Sequence, residues 1–117
     1  MGRKSENSLS TLEYHVLLAL VSKSLHGYAI KDTVMEESGG TLSPPAGSLY
    51  RVIARLMSSA WVIETESDAG GAPHPGLARR YYAITPAGRA ALAAEARRLK
   101  HSVAMAERRL GVAEESR

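Results

Sequence analysis

Gly47-Ser48-Leu49-Tyr50-Arg51-Val52-Ile53-Ala54-Arg55-Leu56 is the stretch on which the fold turns. Leu49, Val52, Ile53 and Leu56 recur at i, i+3, i+4 and i+7, which lays one apolar stripe along a helix. The opposite side carries Ser48, Tyr50, Arg51 and Arg55 around the small Gly47 and Ala54. A core-facing helix usually wears charges of both signs on its wet side. This one wears only cations, hydroxyls and small residues. Arg reaches guanine edges or phosphate, Ser and Tyr donate to phosphate, and small side chains allow close approach, so the pattern fits a helix laid in a DNA major groove. The competing reading is an ordinary amphipathic helix with two solvated arginines.

The segments before it build its support. Ser10-Thr11-Leu12-Glu13 reads as a capping box, with Ser10 as N-cap. A helix is expected from there to about Ser22, burying Leu12, Val16, Leu17, Leu20 and Val21. Ser24-Leu25-His26-Gly27 breaks it, and a second helix runs from about Tyr28 to Ser38, stopped by Gly39-Gly40. Leu42-Ser43-Pro44-Pro45-Ala46 is a stiff connection, since proline cannot continue a helix but can precede one. Helix, short stiff turn, helix is the spacing of a helix-turn-helix unit.

The segments after it add a wing and a long helix. Trp61 to Glu66 and Arg79 to Thr85 read as two strands, joined by a soft loop over Asp68–Ala78. A hairpin beside a helix-turn-helix is a wing. Thr85 caps a last helix with Pro86 at its first position, and the helix is expected to end at Gly111. Leu92, Ala96, Leu99, Val103, Ala106 and Leu110 are spaced four, three, four, three, four, a heptad seam suited to a second copy of the chain. The alternative is that this helix folds back on the first one. The expected fold class is therefore mainly α with a small β-hairpin: a winged helix-turn-helix plus a long C-terminal dimerisation helix. Its divisions are a flexible N-terminus (1–8), a DNA-binding unit (9–85, wing about 61–85), the dimerisation helix (86–111) and a tail (112–117).

Composition narrows the function classes. The 117 residues suit one domain and hold no cysteine, which removes disulfide and thiolate-metal frameworks. The formal net charge of +3 favours a polyanionic partner only mildly. No apolar run is long enough to cross a bilayer and the first residues do not form a signal-peptide core, so no membrane partner and a cytoplasmic location are expected. His15, His26, His74 and His101 lack metal-ligand spacing, and His26 reads as structural, capping or hydrogen-bonded at the start of the second helix. No nucleophile lies beside a base and no phosphate-cradling glycine loop precedes a helix, so neither an enzyme, a cofactor nor a metal is expected. Tyr14 and Tyr28 read as core or interface residues and Trp61 as core, while Tyr50 points away from the apolar stripe. Of Tyr81 and Tyr82, and of Arg79 and Arg80, alternation sends one to each face of the strand. The outward arginine can reach the minor groove or flanking phosphates.

Tyr14, Leu17-Leu18-Ala19-Leu20, His26-Gly27-Tyr28-Ala29-Ile30, Ser38-Gly39-Gly40, Gly47-Ser48-Leu49-Tyr50-Arg51, Arg55-Leu56, Arg80-Tyr81-Tyr82-Ala83-Ile84-Thr85 and Gly88 are similar to the motifs of the PadR-type transcriptional regulators. The resemblance runs from about Leu9 to Leu110, in the short form with a single C-terminal helix. It implies a dimer, joined through the last helix and part of the first, that represses transcription at a palindromic double-stranded DNA operator. It further implies release by a small hydrophobic or aromatic effector near the dimer interface. The DNA-contacting residues it implies are Ser48, Leu49, Tyr50, Arg51, Arg55, Arg79, Arg80 and Tyr82. Two positions depart from the pattern. Ala60 stands where glycine is usual after the recognition helix, and Pro44-Pro45 is unusual in the turn. A different class of function stays open beside this one: a winged-helix module that binds protein and not DNA. So does a small-molecule binder whose DNA role is secondary.

Overall fold

A computed structural model describes residues 9–66 and 80–112. The expected flexible N-terminus, the loop at the wing tip, Arg79, and the tail beyond Val112 lie outside the described residues. Seven elements follow in order: α1 (Thr11–Ala19), β1 (Leu25–His26), α2 (Gly27–Glu37), α3 (Ala46–Ser58), β2 (Val62–Thr65), β3 (Tyr81–Ile84) and α4 (Pro86–Leu110).

Local sequence fixes the helix ends. The Ser10 side chain accepts from Glu13 N while Glu13 Oε1 accepts from Ser10 N at 2.8 Å, so both arms of the capping box are made. His26 caps α2, its Nδ1 accepting from Ala29 N at 3.3 Å. α3 begins directly after the paired prolines, with Pro45 as its N-cap. Thr85 Oγ1 accepts from Gly88 N at 3.0 Å and donates to the Ala60 carbonyl at 2.8 Å, which ties the start of α4 to the end of α3. A Cβ on Gly88 would run into the Trp61 carbonyl, so α4 crosses there only because that side chain is missing.

Two expectations need correction. The first helix stops at Ala19, short of Ser22. The Leu20 and Val21 amides turn to carbonyls three residues back, Leu17 O at 3.1 Å and Leu18 O at 3.2 Å, which tightens the last turn. The chain leaves the helix early because Leu25 and His26 pair with Tyr82 and Tyr81. The break at Ser24–Gly27 thus holds a third strand, and the expected hairpin is part of an antiparallel sheet in the order β1-β3-β2.

The core lies between α1, α2, α3 and the sheet. Val16, Leu17 and Ala19 of α1 and its C-cap Leu20 meet Ile30 and Val34 of α2, the whole apolar stripe of α3, Val62, Tyr82 and Leu92. Tyr14 and Trp61 pack against this cluster half-buried. α3 ends in a paired turn: Trp61 N donates to Leu56 O at 3.0 Å and Ala60 N to Met57 O at 2.9 Å. That turn needs a left-handed residue, and Ala60 supplies it at φ 65°. This is the physical reason glycine is usual at the position.

α4 divides along its length. Its first half packs on α1: Leu92 joins the core of its own chain, and Arg89 Nη2 donates to Val21 O at 2.7 Å. Leu92 is thereby corrected from a seam residue to a core residue. Glu95 is buried at 2% exposure and accepts from Leu9 N at 3.4 Å and Arg98 Nε at 3.1 Å. The Arg98 hydrogen bond, helped by the Leu9 amide against the opposing effect of burial, holds the Glu95 carboxyl below its ordinary range. Beyond Leu99 the helix stands out from the body, leaving Val103 54% and Leu110 74% exposed.

Two measurements test this reading. Ala60→Gly removes left-handed strain at the price of unfolded-state entropy, and is expected to raise the melting temperature by a few degrees, about 0.5–1 kcal/mol; a lower melting temperature contradicts it. Because the Glu95 pKa is depressed on folding, its stabilisation is present above the ordinary glutamate value of 4.5 and is lost as pH falls through the folded value. Thermal melts should place wild type well above Glu95→Gln at pH 7, with the two converging in acid; a gap independent of pH would exclude the ionised pair.

Candidate nucleic-acid interface

Burial of one side of α3 dictates what the other side offers. Leu49, Val52, Ile53 and Leu56 are all in the core, each worth roughly 1.5–3 kcal/mol on burial, so the helix cannot rotate about its axis without losing them. Gly47, Arg51, Ala54 and Ser58, spaced four, three and four, are exposed and lie opposite. Arg51 is the cation at the middle of that face. Among the described residues no carboxylate lies within ion-pair distance of it.

The two other described arginines named for the site each lie beside a carboxylate. Arg55 Nε donates to Glu13 Oε2 at 3.0 Å. Glu13 therefore caps α1 with one oxygen and clamps α3 with the other, across the α1–α3 contact. Arg80 Nε lies 3.5 Å from Glu64 Oε2. Sheet register explains this second pair. Glu64 faces Tyr82 across the β2–β3 ladder and Arg80 is two residues from Tyr82, so all three share the sheet face turned toward α3. Tyr50, Ala54 and Ser58 of α3, with Glu64, Arg80 and Tyr82 of the sheet, line one groove between helix and wing.

Two residues named from sequence do not belong to the open surface. Leu49 is 1% exposed and serves as core. Tyr82 is 5% exposed, the inward member of the tyrosine pair. Burial, reinforced by Tyr50 and Glu64 nearby, raises the Tyr82 phenol above its ordinary pKa, against the lowering effect of the Arg80 guanidinium. Tyr82 lies beside Arg80 and Glu64 in the groove between α3 and the sheet. Its neighbour Tyr81 is half-buried, its ring edge-on to His26 at 5.5 Å. Ser48 is half-buried and Tyr50 46% exposed, both at the start of α3.

Tyr50 is the hinge of the site. Its phenol lies over Gly27, where a Cβ would overlap Tyr50 Oη and Cζ. Strand β1 is what brings them together, because it pairs Leu25 with Tyr82 and sets the first residue of α2 beside the sheet and α3. The glycine of the His26-Gly27-Tyr28 motif and the tyrosine of the Gly47-Ser48-Leu49-Tyr50 motif are therefore one contact. Tyr28, expected in a core or interface, stands 71% exposed next to it, outside the core of this chain. Among the described residues no three His, Cys, Asp or Glu side chains gather as a metal site, and no helix is long and apolar enough to cross a membrane.

Comparison with known proteins places this geometry. Residues 16–94 match the model of the transcriptional regulator PadR-like family. A curated relative, an uncharacterised 37.1 kDa protein in transposon TN4556 of Streptomyces fradiae, is 39% identical over 89 residues, 76% of this chain. The chain spans 22% of that relative's length. Among solved structures, a PadR family regulator of Clostridium difficile R20291 superposes with a TM-score of 0.72 at 18% identity, over 86% of this chain and 99% of that one. A PadR family regulator of Eggerthella lenta gives 0.62 at 25% identity, over 89% and 84%. Bacillus subtilis PadR, solved in complex with operator DNA, gives 0.59 at 23% identity, over 70% of this chain and 44% of that one.

The Gly27–Tyr50 contact is open to a double-mutant cycle on thermal stability. Gly27→Ala should lower stability by roughly 1 kcal/mol in the wild-type background and by much less in Tyr50→Ala, where the ring is gone. Equal losses in both backgrounds would separate the two residues.

Proposed function

Because this chain belongs to the PadR-like family of transcriptional regulators, we propose that it is a dimeric winged-helix repressor that reads a palindromic operator through α3. The observation that carries this is Arg51, exposed at the centre of a face made otherwise of Gly47, Ala54 and Ser58, directly opposite a buried stripe. Small neighbours let the backbone of α3 approach base edges, and Arg51 reaches guanine or phosphate. Ser48 and Tyr50 position the start of the helix on the phosphate backbone. Arg80, beside Glu64 and Tyr82, anchors the wing, and Arg79, its neighbour in sequence, adds a second cation for the phosphate backbone. Arg55 lends its guanidinium mainly to Glu13 and acts by fixing α3 on α1.

Dimerisation is supported by the far half of α4. Ala96, Leu99, Val103, Ala106 and Leu110 keep heptad spacing on a helix whose outer turns touch no other part of the described chain closely enough to bury them. Two copies joined there present two α3 helices, and half-sites one helical turn apart, about 34–36 Å, follow from that symmetry. The same apolar seam is the natural place for a small hydrophobic or aromatic effector that loosens the pair and releases DNA.

Fluorescence anisotropy on the duplex upstream of the chain's own reading frame tests the DNA reading. Arg51→Ala is expected to weaken binding about tenfold or more and to flatten the salt dependence by about one unit of slope; unchanged affinity at moderate salt would overturn the role of α3. Sedimentation equilibrium tests the seam: Val103→Glu should give single chains where the wild type gives pairs, and a wild type of single chains would remove the dimer.

A further inference from the structure

Glu13 belongs neither to α3 nor to the wing, yet its carboxylate reaches across to α3. One oxygen accepts from Ser10 N at 2.8 Å, and the other lies 3.0 Å from Arg55 Nε. The Glu13 side chain is only 12% exposed, whereas that of Arg55 is 57% exposed. Ion pairs at a surface usually count for little, because two long side chains must be ordered to form them. Here the capping box already fixes one partner, so only the arginine has to be ordered. Arg55 stands one turn beyond Arg51 on α3, at i+4, and the two cations are neighbours on the helix surface. Their surroundings differ: Arg55 meets a fixed carboxylate, and among the described residues Arg51 has none within ion-pair distance.

A phosphate contact from a solvent-facing arginine is available on every duplex and carries no sequence information. Selectivity is a difference between two affinities, so weakening the wrong complex raises it. We propose that Glu13 is a positioning residue that sets sequence selectivity: it withholds Arg55 from the DNA backbone, and the loss falls mainly on unrelated sequences. A non-specific complex is held by charge and samples many registers, so a freed Arg55 always finds a phosphate there. A complex with α3 seated has one register, set by Arg51, and a freed Arg55 gains only what a single phosphate within its reach can give. To take a phosphate in the wild type, Arg55 must leave Glu13, and the bared carboxylate then repels the same polyanion. This inference rests on duplex DNA being the partner of α3. It adds a residue of α1 that works by keeping a cation back.

Anisotropy titrations of the full chain over a range of salt, on the upstream duplex and on an unrelated one, test it. Glutamine at the third helical position still suits a capping box. Glu13→Gln therefore removes the charge and keeps the helix start, and it should melt within a few degrees of wild type. It should tighten the unrelated duplex roughly threefold or more and steepen that salt slope by about one, with a smaller gain on the upstream duplex. In an Arg55→Ala background the same substitution should change neither affinity nor slope. A loss of affinity with the slope unmoved would mark a merely structural role and overturn the inference. An equal gain on both duplexes would overturn it too, as would a gain that persists without Arg55, which marks a general effect of charge. If Arg51→Ala binds weakly while Glu13→Gln binds as wild type, Glu13 has no such role and that of α3 stands. If Arg51→Ala binds both duplexes as wild type, the DNA reading falls and this inference with it.

Discussion

Burial of Leu49, Val52, Ile53 and Leu56 governs everything else in this molecule. Four side chains locked into the core fix the rotation of α3, and with it the identity of every residue on the outer face. The neighbouring elements reinforce that setting from three directions. Glu13 holds Arg55 from α1, Gly27 receives the ring of Tyr50 at the start of α2, and the turn through Ala60 hands the chain to β2. A recognition surface must be rigid before it can be specific, because each degree of freedom left in the helix would have to be removed on binding.

Charge is arranged with the same economy. Around α3, Arg55 and Arg80 each face a glutamate, while Arg51 does not. Glu64 stands opposite Tyr82 in the β2–β3 ladder, and its carboxylate lies 3.5 Å from the Arg80 guanidinium beside the groove.

Sequence made the local features legible and hid the non-local ones. The capping box, the His26 cap, the proline-led start of α3 and its buried stripe depend on residues within a few positions of each other, and they are where the pattern puts them. β1 escaped because two residues have no periodicity; only pairing with Tyr81 and Tyr82, far along the chain, makes them a strand. Strand alternation says that one of two adjacent tyrosines is buried, but choosing Tyr82 requires knowing which sheet face meets α3. The apolar stripe had already put Leu49 in the core, and it joined the contacts only through the family resemblance. Glu95 went unremarked because its sequence neighbours make it look like a solvated helix position. Its burial comes from Leu9, at the opposite end of the chain. Position 60 is the opposite case: its departure from the usual glycine was visible in sequence, and the positive φ gives the cause.

The central claim is that the face of α3 centred on Arg51 meets duplex DNA. Titrating the uniformly ¹⁵N-labelled chain with the duplex upstream of its reading frame, and following backbone amides by NMR, tests it most directly. The account predicts the largest shifts at Gly47, Arg51, Ala54 and Ser58, smaller ones at Arg80, and none across the distal turns of α4. Shifts concentrated on α4 with α3 unmoved would contradict it.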